Sequence, residues 1–424
     1  MVRRLRPCRS APGGGGGLHG PWQRRQAGRG GRPGAGLHVQ PERHRPGVAG
    51  GETLIQERLA RHFDPVLAAG AIALAGYGGL LIYSASLSSY PDGINGLGHP
   101  VVKQALLALL GIALMVVLMM TDYRAFGRVA PFLYGLGLLL LVAVLLVGDE
   151  SLGSRRWLSL GPVQVQASEL AKPFTILALA RYMADRPLDM RRLRHFLATL
   201  AMGLVPAVLV MLEPDMGTAI IFGSVWLVMA LMGGARPYYV GLLVAILILS
   251  IPLVSAAALS DYQRERLALF FNPNLDPLGG GFNILQAEIG IGSGGLLGKG
   301  LFQGSQTQLD FLQTATTDYI FSVLGEELGF VGALLLLALY VVVIFRCLRA
   351  ASLSYDLFGR LLATGIAVML LVQVFINVGV NVRLLPVTGI PLPFISQGGS
   401  SLLMTFMALG LVQSVLLRRR PFEP

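Results

Sequence analysis

The sequence predicts an all-α integral membrane protein, a bundle of about ten transmembrane helices with a large loop between the seventh and eighth. Three observations carry that expectation. Hydrophobic residues fill 54% of the 424 positions and charged residues only 13%, where soluble domains hold about a quarter charged. Mean hydropathy is +0.64. Apolar runs of near-spanning length recur down the chain with polar punctuation between them. Because unpaired backbone groups cannot face lipid, such runs are helices.

Residues 1–52 come first and read as a disordered basic tail. Met1 to Gly50 hold ten arginines against Glu42 alone, so nine of the eleven net positive charges sit there and +2 remains for everything after. The basic balance therefore belongs to the tail and implies no nucleic-acid surface on the folded body. With glycine unbroken from Gly13 to Gly17 and few apolar residues, the tail cannot bury enough surface to fold. It also lacks the apolar stretch of a signal peptide. Two readings stay open: a start codon assigned too far upstream, or an arm lying on anionic lipid, where each basic residue contributes about 1 kcal/mol.

From 53 to 424 the chain reads as one polytopic membrane domain. Its spans fall at 65–86, 101–120, 130–147, 167–183, 196–212, 217–234, 238–258, 319–345, 360–382 and 399–416. Arginine placement sets their direction. With the N-terminus inside, the inner connections hold Arg124 and Arg128, then DRPLDMRRLRHF, Arg236, FRCLRAASLSYDLFGR and the closing LRRRPFEP. An even span count returns the C-terminus to the cytoplasm. LEPDMG, between the fifth and sixth runs, would also suit the break of a re-entrant pair. Residues 259–317 are then extracytoplasmic. Within them YQRERLALFF has the spacing of a helix lying on the membrane surface, with Arg264 and Arg266 towards headgroups. A loop this long inside a compact protein is usually functional.

Cys8 and Cys347 offer no disulfide framework or zinc site, and three of the six histidines fall in the tail. GSGGLLGKG invites a phosphate-loop reading and fails it, because Ser293 and Gly300 stand where the pattern needs glycine and a hydroxyl residue. A glycine hinge with Lys299 near lipid phosphates suits it better. Glu169 and Lys172 are three apart and share a helix face. They form either a self-neutralising pair, with Ser168 as cap, or part of a site with Arg156 and Trp157 just upstream. Pro173 predicts a late start or a kink in that span. Asp215 reads as a helix N-cap or as a second acidic group at the outer face. Arg383 precedes a segment broken by Pro386, Pro391 and Pro393, and irregular backbone at membrane depth is tolerated only where it lines a cavity or is buried in protein. Glu326 and Glu327 point to different helix faces, which suits hydrogen bonding between helices. Asp318, at the inner edge of the loop and facing the cell exterior, is either the N-cap of the eighth span or a partly desolvated carboxylate suited to general base work.

The blocks RRWLSLGPVQVQASELAK, EPDMGTA, IGSGGLLGKGLFQGSQTQLDFL with TTDYIFSVLGEELGFVG, and LLPVTGIPLPFISQGGSS together resemble the SEDS family of shape, elongation, division and sporulation proteins. The resemblance covers Asp64 to Arg420, and GKGLFQGSQTQLDFL leans to the elongation branch over the division branch. It implies ten transmembrane helices in the bacterial cytoplasmic membrane and peptidoglycan glycosyltransfer at the outer face. The substrates it implies are lipid II and a glycan linked to undecaprenyl pyrophosphate. The implied partners are a class B penicillin-binding protein as transpeptidase and the elongation machinery. By resemblance the essential outer-loop aspartate falls on Asp318, the charged pair on Glu169 and Lys172, the Arg-Trp pair on Arg156 and Trp157, and the second acidic position on Asp215. Three departures stand out: Thr316 where the family often has histidine, Ala167 for a usual proline, and Gln397 for a tyrosine or small residue.

On this reading Asp318 takes a proton from the lipid II sugar hydroxyl while Lys172, Arg156 or Lys299 stabilises the departing pyrophosphate. Arg383 joins the substrate-binding candidates. The sequence establishes no cofactor, and a divalent cation, magnesium or manganese, could share the leaving group's charge. A lipid flippase is the rival reading, since transporters too show intramembrane charges and broken helices. A scaffold without activity is the third.

Overall fold

The computed structural model describes residues 62–419 apart from 91–95, 97, 152–153, 161–162, 188, 258–260 and 278. The basic tail lies outside the described residues. The ten expected runs each become one helix. The first seven are α1 (Pro65–Ser86), α2 (Pro100–Met120), α3 (Tyr123–Val147), α4 (Ala167–Ala184), α5 (Leu193–Leu212), α6 (Met216–Met232) and α7 (Pro237–Ala257). Three helices then fill the loop, α8 (Asp261–Phe271), α9 (Gly280–Gly294) and the single turn α10 (Ser305–Gln308). The last three spans are α11 (Ile320–Leu353), α12 (Leu357–Asn381) and α13 (Gly399–Leu417).

Among the described residues seven helices, α1, α2, α3, α5, α11, α12 and α13, are long and apolar enough to cross a membrane, and α6 and the first half of α7 are apolar but shorter. The protein is thus a multi-pass membrane protein. Helix α4 is the exception, because Glu169, Lys172 and Arg181 dilute its hydropathy. Its neighbours compensate: α4 packs against α3 and α12, and most of its side chains are buried. Helices α12 and α13 are buried on nearly every side, as expected of helices apolar all round.

The polar punctuation serves as caps. Asp64 accepts from Val66 N and Leu67 N at 3.1 Å each, with Pro65 at the first helical position. His99 caps α2, Asp122 caps α3 and Asp356 caps α12 in the same way. Ser168 does not cap α4: Gln166 holds that position, and the Ser168 hydroxyl is buried without a partner. Pro173 is carried inside α4. LEPDMG is a tight turn joining α5 and α6, which pack on each other.

Two features depart from the sequence expectation. First, residues between α3 and α4 form a three-stranded antiparallel sheet, β1 (Asp149–Ser151), β2 (Ser154–Leu160) and β3 (Val163–Gln166). It pairs Trp157 with Gln166 and Leu158 with Val165. SRRWLSL and VQVQ lie between spans, where strand pairing satisfies the backbone as well as helix does. Second, GSGGLLGKG is no hinge. Helix α11 breaks at Gly329 (φ 63°, ψ −160°), and the 295–300 segment repairs the break. Lys299 N and Gly300 N donate to Glu326 O and Glu327 O, while Phe330 N and Val331 N donate to Gly295 O and Leu296 O, all at 3.0–3.1 Å. Four backbone groups that a broken helix would strand at membrane depth are thereby paired.

The arginine-rich connections gather at one end of the bundle. There Arg418 donates to Met119 O and Met120 O, and Arg124 pairs with Asp356 at 3.0 Å. The sheet, the α5–α6 turn, helices α8–α10, the start of α11 and the 382–398 segment share the other end.

Candidate active site

At that second end the irregular segment between α12 and α13 folds back against the start of α11. Proline and three left-handed residues, Arg383, Gly389 and Phe394, keep it out of helix, and its polar groups find partners in the bundle. Tyr340 OH donates to Pro393 O, Gln104 Nε2 donates to Ser396 O at 3.3 Å, and Arg266 Nη1 donates to Val387 O at 3.0 Å. In turn it holds the residues leading into α11. Gln397 N donates to Thr316 O at 2.8 Å, and Ser396 Oγ donates to Thr317 O at 2.6 Å.

Asp318 is not the cap of α11. Tyr319 takes that position without a side-chain bond, and the Asp318 carboxylate turns to a cavity of about 220 Å³. Arg156 and Trp157 from β2, Gln166 from β3, Arg266 from α8 and Gly389 also line it. A second cavity of about 280 Å³, between α8 and α9, shares Asp318, Arg266 and Thr314 with the first. Asp318 thus stands where two chambers meet. Among the described residues no protein group donates a hydrogen bond to its carboxylate. Enclosure by protein pushes its pKa up, Arg266 and Arg156 pull it back, and Asp215 raises it. Gly389 measures how close these groups are. A Cβ there would lie 3.1 Å from Arg156 Nη1 and 3.8 Å from both Arg266 Nη1 and Asp318 Oδ2.

Arg156 is anchored from behind. Its Nε donates to Glu213 O at 3.3 Å and its Nη2 to Pro214 O at 2.6 Å, so the α5–α6 turn aims the guanidinium. In that turn Asp215 caps α6, accepting from Thr218 N at 3.0 Å and Thr218 Oγ1 at 2.9 Å. The Glu213 carboxyl is buried with Oε1 unpartnered. Burial first, then Asp215, push its pKa up to about 8 against the pull of Arg156.

The structure thus brings Asp318, Arg156 and Trp157 together, with Asp215 near enough to act on Asp318 through its charge. Glu169 and Lys172 form an ion pair at 2.8 Å, both side chains almost wholly buried, in the first turn after Gln166. Lys299 and Arg383 lie outside both linings. Lys299 Nζ pairs with Glu326 at 2.7 Å, and Arg383 Nη1 with Glu288 on α9 at 3.1 Å. Arg266 and Gly389 are the residues that sequence reasoning did not place here. The amphipathic pattern of YQRERLALFF assigned Arg266 to headgroups. The glycine between Pro386 and Pro391 was the available signal for a turn at Gly389. Among the described residues no three His, Cys, Asp or Glu side chains converge as a metal cage.

Comparison with known proteins agrees with this geometry. The profile of the FtsW/RodA/SpoVE family, described as cell cycle proteins, matches residues 66–420. The peptidoglycan glycosyltransferase MrdB of Escherichia coli K12 is 39% identical, over 85% of this chain and 95% of its own length. The probable peptidoglycan glycosyltransferase FtsW of Nitrosococcus halophilus is 38% identical, over 84% and 93%. Among solved structures, a peptidoglycan synthase complex that coordinates polymerization and crosslinking superposes with TM-score 0.70 at 34% identity, covering 84% of this chain and 97% of that one. The rod shape determining protein RodA of Thermus thermophilus gives TM-score 0.62 at 31% identity, covering 85% and 98%.

Proposed function

The chain belongs to the FtsW/RodA/SpoVE family of cell cycle proteins, and from that premise we propose that it is a peptidoglycan glycosyltransferase polymerising lipid II during cell elongation. The reaction takes place at the outer face of the bacterial cytoplasmic membrane, with both termini in the cytoplasm, because the arginine-rich connections share the end opposite the site. The observation that carries the reading is the Asp318 carboxylate, which takes no hydrogen bond from the described residues and faces two guanidinium groups where two cavities meet.

Two lipid-linked sugars must meet in this reaction, and two chambers meeting at one carboxylate suit that need. Asp318 accepts the proton of the lipid II 4-hydroxyl as that oxygen bonds to the anomeric carbon of the growing strand. The bond from that carbon to the pyrophosphate breaks, and undecaprenyl pyrophosphate leaves with the electron pair. Attack opposite the leaving group inverts the anomeric centre. Arg156 and Arg266 line the cavity with their charge towards the reacting centre, and guanidinium groups match phosphate oxygens in geometry. Lys172 and Lys299 are neutralised by Glu169 and Glu326, so the developing charge falls to the arginines. Arg156 and Arg266 face Asp318 as the two cations that lower its pKa, and a divalent cation sharing the pyrophosphate charge would be held beside them by the substrate's own oxygens.

The partner is a class B penicillin-binding protein, a proposal supported by the likeness to a complex that couples polymerization to crosslinking. Purified protein with that partner, given lipid II, should yield glycan strands on a gel, and Asp318→Asn should yield none while eluting as folded protein. Strands from the variant, or lipid movement across liposomes without any strand from the wild type, would overturn the reading.

A further inference from the structure

Among the described residues nothing donates to the Asp318 carboxylate, but its backbone is held by two residues that lie outside both cavity linings. Asn377 and Asn381 sit one turn apart at the end of α12, each only 2% exposed. Asn381 Nδ2 donates to Asp318 O at 2.9 Å, and Asn377 Nδ2 donates to the same oxygen at 3.2 Å. Asn377 also donates to Ile390 O at 2.8 Å, beside Gly389, and Asn381 to Asn377 O at 2.9 Å. The remaining amide oxygen, Oδ1 of Asn381, accepts from Ser322 N at 3.1 Å and Ser322 Oγ at 2.7 Å. It therefore serves the first turn of α11, which lacks a cap of its own.

Both amides must point this way, because only Nδ2 can face carbonyls and only Oδ1 can face the Ser322 donors. The carbonyls of Thr316, Thr317 and Asp318 are thus gripped in succession by Gln397 N, Ser396 Oγ and the two amides. None of these carbonyl bonds serves the N–H groups that the start of α11 leaves open, a task that falls to Asn381 Oδ1 at Ser322 N. Two donors on one carbonyl exceed what a helix entry requires, and both are spent on the residue whose side chain faces the reaction.

We propose that Asn377 and Asn381 are the positioning residues of the reaction: through the carbonyl of Asp318 and the first turn of α11, they fix where the Asp318 carboxylate points. Asn377 extends the same control to the Gly389 turn, so carboxylate and cavity wall are set from one helix face. The charged and titratable groups facing Asp318 are Arg156 from β2, Arg266 and Glu265 from α8, Asp215 from the start of α6, and the neighbouring Tyr319. The two arginines hold its pKa down against burial. A carboxylate that drifts from them gains proton affinity.

This inference rests on Asp318 acting as the base, and the test separates the two. Initial rates of lipid II polymerisation by the full chain with its transpeptidase partner are measured across pH for wild type, Asn377→Ala, Asn381→Ala and Asp318→Asn. Folded protein is quantified by size exclusion and thermal melting. Each asparagine variant should lose about 10- to 100-fold in kcat with a much smaller change in KM. The acid limb of its pH profile should move to higher pH. A purely structural role predicts loss in proportion to unfolded protein, with the acid limb unmoved, and that result overturns the proposal. If neither alanine variant folds, Asn377→Leu decides, since it fills the space and removes the donor while Asn381 keeps its own bond to Asp318 O: a displaced acid limb supports positioning and an unmoved one overturns it. Full activity from Asp318→Asn would instead remove the base itself.

Discussion

Asp318 and the Glu326–Glu327 pair lie on one stretch of chain, about two helical turns apart, in opposite surroundings. Glu326 receives Lys299 Nζ at 2.7 Å, Ser305 Oγ at 3.0 Å and Gln306 N at 3.1 Å. Glu327 receives Ser84 Oγ of α1 at 2.6 Å. The Asp318 carboxylate receives no hydrogen bond from the described residues and faces two cavities. Burying a carboxylate is costly unless its lone pairs are filled. Filling them holds a loop and a broken helix in place, and leaves no lone pair for a substrate proton. Asp318 has the open lone pairs and the glutamates have the donors. The sequence already sets the glutamates apart as hydrogen-bonding groups between helices, and the donors around each carboxylate show physically what separates base from brace.

Asp318→Asn is the largest way to sharpen that contrast. It keeps shape and removes the proton acceptor, so the rate should fall by about 10²–10⁴ while the melting temperature holds or rises. A rise follows from the raised pKa, because the native state bears the cost of an enclosed charge. Gly389→Ala comes next. At φ +73° any side chain is strained, and its Cβ would crowd Arg156 at 3.1 Å. Displacing that guanidinium should cost about 10- to 100-fold in kcat, read from strand formation against time. An alanine enzyme at the wild-type rate would show that the arginines are not held to the carboxylate through this turn.

How much of this was legible depended on whether the signal was local. The ten helices were, seven of them long and apolar enough to cross a membrane, because the bilayer demands about 20 apolar residues whatever the fold, and Asp64, Asp215 and Asp356 mark helix starts by type alone. Asp318, Arg156 and Trp157 could be singled out because carboxylate, guanidinium and indole at an outer face are unusual in so apolar a chain, and because they fall in the blocks that carry the family resemblance. Arg266 was not. Its helix pattern was read correctly, but which face meets the bundle is decided by α9 and the 382–398 segment, far away in sequence. Lys299 failed in reverse: a lysine in a glycine-rich loop looks available, and its partner Glu326 lies 27 residues on. Asn377 and Asn381 did leave a trace, two amides four apart in an apolar run and so on one helix face.

Lys299→Met tests the other side of the contrast. It leaves Glu326 buried with its hydroxyl and backbone donors but no countercharge, and it loosens the segment that pairs the backbone at Gly329. Stability should drop by about 3 kcal/mol, read as a lower melting temperature, while strand synthesis per folded molecule stays near wild type. Lost synthesis without lost stability would put Lys299 back among the substrate residues.

Glu213 is the case that strains the rule, and it carries the smallest effect. Like Asp318 it has a raised pKa and an unfilled oxygen, yet it lines neither cavity. If an open lone pair marks function only when it faces a cavity, Glu213 should matter to stability alone. Its pKa is about 8 in the fold against 4.5 for the free carboxyl, so the native state binds the proton more tightly than the unfolded chain. The stability it contributes is therefore full below about 4.5 and is lost as pH climbs towards 8. Glu213→Gln, neutral throughout, should melt close to wild type in acid and pull ahead as pH rises. The gap should grow by on the order of 2 kcal/mol between about pH 5 and 7, with strand synthesis retained. A gap that stays constant with pH would mean that Glu213 is ionised in the fold and paired with Arg156. The α5–α6 turn would then aim that arginine by charge as well as through its carbonyls, and Glu213 would join Asp318 on the functional side of the comparison.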